Sequence, residues 1–509
     1  MPWTGIEYRD TVCRSVGNSK VQLQAKWRVL AALLCCAACH TDEPLSLPKD
    51  RPDASDPTLA RSAALPGAVQ SLALGAASTC ALLSDGSVKC WGSDEYGVLG
   101  RDTARQDIGD PGSIGPIDFG TSREVRAISA GWHHVCVLFE DARARCWGRN
   151  DRGQLGHGNT EDYGDDPGET LNVLPDLPLE HILAISAGVS NTCAIVAASG
   201  AAGAVHCWGS DIGGGIGDTG SGDFGDDEPI DASRAVPLPD WATAVAAGDG
   251  VNCALLLDAS VRCWGSNAFG TRGIGDAICS GSTDPSCSGS TELRAVEQLG
   301  EQFVHSIQLN QADACALDNR GDLRCWGRND QSRAGYPEVR AGSTLSITPG
   351  PVELGAGVSV LSFGLGIRHG CAVDTRGAIR CWGEAGPQLG YGMVQKDGAA
   401  GIGGTLTPAE QYAGMPDQGV VQLGATGDTS GSLSALRVFS GGSHNCAILA
   451  QGNVRCWGHN ESGQLGYGAF AQVGHIGELR TPSLDYQRLN QADVCIGLAA
   501  SGGCPGAVR

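Results

Sequence analysis

The residues of this chain best suited to chemistry are its 22 cysteines, since thiols can bind metal ions, act as nucleophiles or pair as disulfides. Fourteen of them recur as pairs in which the second member begins the motif Cys-Trp-Gly. Nine residues separate the two members in six pairs, and thirteen in the third. Zinc ligands usually come as closely spaced pairs, so this wide spacing disfavours a metal cluster. The pairs are Cys80–Cys90, Cys136–Cys146, Cys193–Cys207, Cys253–Cys263, Cys315–Cys325, Cys371–Cys381 and Cys446–Cys456.

The spacing within each pair predicts a β-hairpin. Ser84, Asp85 and Gly86 suit a three-residue loop in which Gly86 takes the left-handed conformation. Counting outward from this loop places Cys80 directly opposite Cys90 on neighbouring strands, close enough to bridge. We therefore predict one disulfide within each of the seven hairpins.

Four more cysteines form two further candidate pairs. Cys279 and Cys287 bracket a short Gly/Ser-rich insertion and are predicted to bridge locally. Cys495 and Cys504 lie in the tail, where residues 489–495 nearly repeat residues 309–315 but no Cys-Trp-Gly follows. This tail is either a degenerate eighth unit or a cap with its own disulfide.

The N-terminal region carries the features of an export signal. Lys20, Lys26 and Arg28 precede an apolar run, Val29–Ala38, that is too short to cross a membrane. Cys39 follows it, as the lipidated cysteine does in bacterial lipoproteins; the alternative is plain cleavage after Ala38. Export and abundant paired cysteines both indicate an oxidising compartment, either the cell envelope or the exterior.

Each hairpin belongs to a longer repeated unit, and successive units begin 56 to 75 residues apart. A β-type run such as residues 125–129 precedes the hairpin and predicts a third strand. A turn such as residues 150–156 follows it, and a Pro-containing strand candidate leads into the next unit. Five residues before the first Cys stands Gly in six units and Asn310 in the fifth, which predicts a positive φ there. The glycines are Gly75, Gly131, Gly188, Gly248, Gly366 and Gly441.

Together, Gly-x4-Cys-Ala-Leu, Cys-Trp-Gly and Asn-x-x-Gly-Gln-Leu-Gly resemble the regulator of chromosome condensation repeat. The resemblance covers about residues 65–489 and implies an all-β fold, a seven-bladed β-propeller. Residues 1–39 would then be an N-terminal extension with the signal, 40–64 a linker and 490–509 the tail. The paired cysteines depart from the family, which more often has small or polar residues there. We interpret the chain as an exported, disulfide-rich bacterial branch, and expect residues 481–484 to pair with residues 69–74.

Three groups of residues could form a functional site. His134, His369 and His444 each stand two residues before a first Cys, where other units have Ser78, Asn191, Val251 and Asp313. A position so tolerant is predicted to stabilise a turn and not to bind metal. Acidic loops at residues 107–110, 161–166 and 223–228 could hold Ca²⁺ or could be repeated blade-edge turns, since none has EF-hand spacing. One Trp per unit is predicted to pack between blades. These are Trp91, Trp147, Trp208, Trp264, Trp326, Trp382 and Trp457.

No catalytic motif or cofactor site stands out, and a net charge of −21 disfavours nucleic acid as a partner. The sequence therefore favours a monomeric, non-enzymatic protein-binding scaffold that contacts a membrane only through a lipid on Cys39. The resemblance also allows a secreted inhibitor of an enzyme such as a β-lactamase. Guanine-nucleotide exchange on a small GTPase, the activity of the founding member, is disfavoured by the export signal.

Overall fold

The computed structural model describes residues 67–101, 105–120, 123–217, 222–275, 295–296, 299, 303–336, 344–345, 349–384, 386–390, 421, 434–450, 452–468, 494 and 496. Within these ranges the regular structure is β-strand, with four 3₁₀ turns of three residues each. The part of the chain so described has no helix long and apolar enough to span a membrane. The predicted all-β class is confirmed.

Seven three-stranded antiparallel units follow one another along the chain, and we number them 1 to 7 in order. The first strand of each unit carries a bulge, as between Val69 and Ser71 in unit 1. The strands are β1 (Val69–Leu74), β2 (Ser78–Leu83), β3 (Val88–Gly92), β4 (Val125–Ala130), β5 (His134–Phe139), β6 (Ala144–Gly148), β7 (Ile182–Ala187), β8 (Asn191–Ser199), β9 (Ala202–Gly209), β10 (Ala242–Ala247), β11 (Val251–Leu256), β12 (Val261–Gly265), β13 (Val304–Leu309), β14 (Asp313–Asp318), β15 (Leu323–Arg328), β16 (Thr344–Leu345), β17 (Val360–Leu365), β18 (His369–Asp374), β19 (Ile379–Gly383), β20 (Ala435–Ser440), β21 (His444–Leu449) and β22 (Val454–Gly458). Strand β16 adds a short fourth strand to unit 5.

The second and third strands of each unit form the predicted hairpin. Cys80 lies opposite Cys90 and the two form a disulfide with a Cα–Cα distance of 4.1 Å. All seven predicted hairpin disulfides are present, including that of the longer third hairpin, Cys193–Cys207. Gly86 has the predicted left-handed φ of +77°, but Ala142 and Ala259 take the same conformation in units 2 and 4.

Units 3 and 4 share one continuous sheet of six strands, ordered β12-β11-β10-β9-β8-β7. The join is the pairing of Ala242 with Gly203, which lies in the extension that lengthens the third hairpin. A four-residue insertion thus changes how two units meet, because it makes β9 long enough to reach β10.

The predicted Pro-containing fourth strand is reduced to single backbone contacts in most described units. In every unit one amide, such as that of Ile117 at 2.8 Å from the carbonyl oxygen of Val88, bonds to the third strand. In unit 7 the donor is Val494, which bonds to Val454 at 2.9 Å. The tail therefore completes the seventh unit, since Val494 and Ile496 also pack beside Leu465 and Trp91. Residues 481–484 lie outside the described part of the chain.

The buried tryptophans join each unit to the one before it, which confirms their predicted packing between units. All seven are at most 2% exposed. Each indole Nε1 donates to a backbone carbonyl in the turn of the preceding unit, at 2.7 to 3.1 Å. The seven donor–acceptor pairs are Trp91–Gln464, Trp147–Val98, Trp208–Gln154, Trp264–Gly215, Trp326–Thr271, Trp382–Arg333 and Trp457–Gln388. Because Trp91 of unit 1 bonds to unit 7, these contacts form a closed cycle.

The repeated glycine five residues before each first Cys does not have a positive φ, so that prediction is wrong. The glycine is needed because a side chain at this position would clash with the neighbouring unit. A Cβ on Gly131 would lie 2.2 Å from the carbonyl oxygen of Gly188 and 2.4 Å from Cε1 of His134. Asn310, its replacement in unit 5, uses its side-chain amide to donate to the carbonyl of Gly366 at 2.7 Å. The residue at this position must therefore allow neighbouring units to approach each other closely.

Candidate protein-binding face

The three histidines that precede the first cysteines are buried and reach into the next unit. His134 Nε2 is 2.9 Å from Thr192 Oγ1, and His444 Nε2 is 2.8 Å from Thr79 Oγ1. His369 Nε2 is 2.9 Å from Asn445 Oδ1. They lie at three different junctions between units and do not converge on a metal site. The predicted turn-stabilising role is wrong, because each histidine is an inter-unit contact.

Two of the other residues at this position, Asn191 and Val251, also face the next unit, whereas Asp313 of unit 5 accepts a hydrogen bond from Asn310 of its own turn at 3.0 Å. Asn191 donates to Asn252 of the next unit at 2.9 Å. In unit 4 the position holds Val251, and the residue of unit 5 that stands where Asn252 does in unit 4 is Ala314. Both are buried, so an apolar pair replaces the hydrogen bond at this junction. Burial in these junctions lowers the pKa of His134 and His444 to about 3 and that of His369 to about 4. The histidines are therefore neutral at ordinary pH.

Acidic residues at the start of the three loops bond to the chain itself. Asp107 accepts the amide of Asp94 at 3.0 Å, and Asp162 accepts that of Asn150 at 2.7 Å. Asp223 likewise accepts the amide of Asp211 at 3.0 Å. These repeated contacts favour the turn interpretation over calcium binding. The carboxylates of residues 226–228 lie within 4.8 Å of one another, with Asp227 exposed and the other two half-buried, but acidic groups of this kind are common without an ion.

A cavity of about 120 Å³ lies where the first strands of all seven units end. The turns that follow these strands meet around it and bond to one another through the backbone. Its side chains are mainly aliphatic, among them Leu74, Leu309 and Leu365. Trp132 and Ile367 also line it. We call this space the central cavity.

A row of aromatic and arginine side chains leads from the turn of unit 1 to the central cavity. Tyr96 meets His133 edge-on with ring centroids 5.1 Å apart, and His133 lies 6.1 Å from Trp132. Arg149 and Arg105 place their guanidinium carbons 5.1 and 5.8 Å from the Tyr96 ring centroid. We call these five residues the aromatic track.

The left-handed backbone of Tyr96, with φ 62° and ψ 24°, belongs to the repeat, since Gln331 at the equivalent position of unit 5 has φ 59° and ψ 26°. The feature that sets the aromatic track apart is the pair Trp132 and His133, which has no aromatic counterpart in the other units. The residues at the position of Trp132 are Ala76, Val189, Asp249, Gln311, Ile367 and Gly442, and those at the position of His133 are Ala77, Ser190, Gly250, Ala312, Arg368 and Ser443.

Sequence reasoning missed the aromatic track. The available signal was the one aromatic pair, Trp132-His133, after a repeated glycine whose other copies precede small, aliphatic or polar residues. Its neighbour Tyr96 belongs to a different unit, so adjacency along the chain did not indicate the contact. The cysteines predicted outside the hairpins, namely Cys39, Cys279, Cys287, Cys495 and Cys504, lie outside the described residues.

With its sheets linked in a cycle around a central cavity, the protein is an all-β propeller built from repeats. Prp20p of Saccharomyces cerevisiae has a similar structure, with a TM-score of 0.54 at 19% identity over 74% of this chain and 80% of that one. The family model described as the regulator of chromosome condensation (RCC1) repeat matches residues 85–138 and 146–195. A second model with the same description matches residues 69–98, 125–154, 242–271 and 437–464. The chain contains RCC1-type repeats at these positions.

Two curated relatives match over most of their own length. The ultraviolet-B receptor UVR8 of Arabidopsis thaliana is 28% identical over 353 residues, which cover 68% of each protein. The secretion-regulating guanine nucleotide exchange factor of Bos taurus is 24% identical over 398 residues, 75% of this chain and 76% of that protein. This chain is similar to both across the repeats.

Proposed function

We propose that this chain is a non-enzymatic, monomeric, seven-bladed propeller that binds another protein through the face bearing the aromatic track. The observation that carries the proposal is the break in repeat symmetry at Trp132 and His133 of that track. Trp, Tyr and Arg are the residues most enriched where binding energy concentrates in protein interfaces.

The position of the track also favours binding of a protein-sized partner. It joins the turns of units 1 and 2 to the central cavity, so one partner can contact several units at once. His133 has 17% of its side chain exposed and Arg149 has 33%, which leaves both reachable yet held by neighbours. Preordered side chains lose little entropy on binding, which strengthens an interface.

We propose that the protein works in the envelope or exterior of a bacterial cell. The seven buried hairpin disulfides support an oxidising compartment. The apolar run that ends at Cys39 supports export, with lipidation of Cys39 or cleavage after Ala38. We place the propeller from about residue 65 to at least residue 496, after the leader at residues 1–39 and the linker at 40–64.

Mass spectrometry of the intact, natively exported protein tests the compartment. With and without reduction, it reports the mature N-terminus, a lipid on Cys39 and the number of bridged cysteines. We expect at least fourteen cysteines to be bridged, since seven hairpin pairs are in disulfides. Free thiols at most hairpin positions would contradict export.

Capture of the partner from the native envelope or culture medium tests the binding face. Arg149→Ala should remove a guanidinium from Tyr96 and weaken capture at least about tenfold, as at interface hot spots. Arg143→Ala is the matched control, because Arg143 is also in unit 2 and also has one carboxylate partner, Glu180 at 2.7 Å. Equal loss in both variants, or in neither, would remove the support for this face.

Two narrower functions remain as outcomes of the same capture. A β-lactamase or another secreted enzyme as partner would make the protein an inhibitor, testable by titrating the enzyme with the propeller. A small GTPase would correspond to the bovine relative named as an exchange factor. Predicted export disfavours this second function, because small GTPases are cytosolic.

A further inference from the structure

We infer that the central cavity receives one aliphatic side chain from a basic loop of the protein partner. This inference rests on the proposed protein-binding function and deepens it. The cavity lies at the end of the aromatic track, because Trp132 belongs to both. A loop that contacts Tyr96 and His133 therefore has the cavity as its next contact.

The backbone around the cavity is already hydrogen-bonded to itself. The amide of Ala76 donates to Trp132 O at 3.0 Å, and the amide of Trp132 donates to Gly188 O at 3.1 Å. The same kind of bond joins Val189 to Gly248, Ile367 to Gly442 and Gly442 to Gly75, at 2.9 to 3.2 Å. These bonds occupy the amide donors named above, so an aliphatic group that enters the cavity leaves none of these donors unpaired.

The side chains that line the cavity carry no formal charge. Their polar members are Asn310, Gln311 and Ser440, and Asn310 is already bonded to Gly366 and Asp313. A buried ammonium or carboxylate would have no counter-charge there and would be strongly disfavoured. A volume of about 120 Å³ is slightly below that of an engineered cavity of about 150 Å³ that binds benzene, so a side chain of the size of Leu, Ile or Met fits.

Charge around the track selects the residues that flank the aliphatic group. Arg105 is paired with Asp165, and Arg149 is paired with Asp151. Glu95 adds a further carboxylate beside His133, with 55% of its side chain exposed. The carboxylates of Asp162 and Asp166 also lie close enough to stabilise the positive charge of Arg105. Carboxylates therefore outnumber arginines around the track, and the whole chain has a net charge of −21. A partner loop with Lys or Arg beside the aliphatic residue is complementary to this negative charge.

Three capped tripeptides test the inference on the intact protein: Lys-Leu-Lys, Lys-Ala-Lys and Glu-Leu-Glu. Binding is followed by the indole NH resonances of ¹⁵N-labelled tryptophan, with Trp132 assigned through Trp132→Phe. We expect Lys-Leu-Lys to shift the Trp132 resonance and to bind about tenfold or more tighter than Lys-Ala-Lys. Glu-Leu-Glu should bind more weakly than Lys-Leu-Lys, with a difference that shrinks as salt is added.

Variants at Ala76 separate this inference from the proposed function. Ala76→Phe should fill the cavity and abolish the preference for Leu over Ala, while Ala76→Ser should keep it; thermal melts check that both fold. Equal affinities for the two Lys peptides, retention of the preference in Ala76→Phe, or no Trp132 shift at millimolar peptide would each overturn the inference. The protein-binding proposal would still stand if Arg149→Ala selectively reduced partner capture.

Discussion

The indole nitrogen of Trp91 lies 3.0 Å from the carbonyl oxygen of Gln464, a residue 373 positions away. This bond joins unit 1 to unit 7 and repeats the contact found at the other six junctions. Thr79 Oγ1 donates to the same carbonyl, also at 3.0 Å. At the junction of units 1 and 2, Val135 stands where Thr79 does and offers no donor, so Val98 O receives its bond from Trp147.

This difference predicts unequal losses when the indole nitrogen is removed. Trp147→Phe should lower the free energy of unfolding by about 1–3 kcal/mol more than a simple packing change, because it leaves Val98 O buried without that donor. Trp91→Phe should cost less, because Thr79 still bonds to Gln464. Urea denaturation of both variants under oxidising conditions measures the difference. Equal losses would mean that the second donor contributes nothing.

The three junction histidines predict that the propeller loses stability in acid. Their folded-state pKa values of about 3 to 4 lie below the unfolded value of about 6.5, so the unfolded chain binds more protons between these limits. Stability is therefore full above pH 6.5 and falls as the pH decreases, by about 1.4 kcal/mol per pH unit for each histidine.

His134→Asn tests this histidine contribution, because Asn fills the same position in unit 3 and bonds to Asn252. The slope of unfolding free energy against pH between 4 and 6 should fall by the equivalent of about one proton. His181→Asn is a useful comparison, since His181 is exposed to solvent. A slope unchanged by His134→Asn would refute the lowered pKa of His134 in the folded protein.

Asp313 predicts the opposite dependence at the junction of units 5 and 6. It is 1% exposed, one of its oxygens has no hydrogen-bond partner, and burial raises its pKa to about 7. Because the folded pKa is raised, the folded state binds the extra proton, and this stability is lost as the pH rises from about 4 through 7. Asp313→Asn should stabilise the protein at pH 8 by on the order of 2 kcal/mol and little at pH 4.

Differential scanning calorimetry at the two pH values checks the Asp313→Asn prediction. Asp322→Asn serves as the control, because Asp322 lies in the hairpin loop of the same unit with 38% of its side chain exposed. A gain of equal size at both pH values would show that charge is not the cause.

The left-handed alanines of units 2 and 4 predict two stabilising substitutions. Ala142→Gly and Ala259→Gly should each add about 0.5–1 kcal/mol, since glycine removes the cost of φ near 60°. Gly452→Ala is the reciprocal test, because a Cβ there would meet nothing closer than 4.0 Å and adds only backbone strain. It should lower the unfolding free energy by about 1 kcal/mol. Chemical denaturation of the three variants checks both directions.

Contacts within one unit could be predicted from the sequence, whereas contacts between units could not. The opposition of Cys80 and Cys90 follows from counting outward from Asp85 at the centre of the hairpin loop, and the structure has that register. The glycines before each hairpin and the junction histidines were misinterpreted, because their partners lie in the next unit. For His134 the partner is 58 residues away, and no local pattern names it.

The candidate site was missed for a related reason. Tyr96 and His133 come from turns of different units, and they meet only because the units pack side by side. The repeat pattern predicts the shared fold of the units well, but it does not reveal positions where one unit differs from the rest. Comparison of equivalent positions among the units is therefore the better guide to function in this chain.

Each hairpin disulfide staples a unit to itself, and none of the seven crosses a junction. Unit 7 receives the amide of Val494 at its third strand, and the described contacts between units 7 and 1 are hydrogen bonds and side-chain packing, as at the other junctions. The junction at Trp91 and Gln464 thus depends on the same kind of hydrogen bond as the junctions within the chain, although its two sides are 373 positions apart. The same property makes the ring suitable for circular permutation, with new ends placed at any junction except the fused sheet of units 3 and 4.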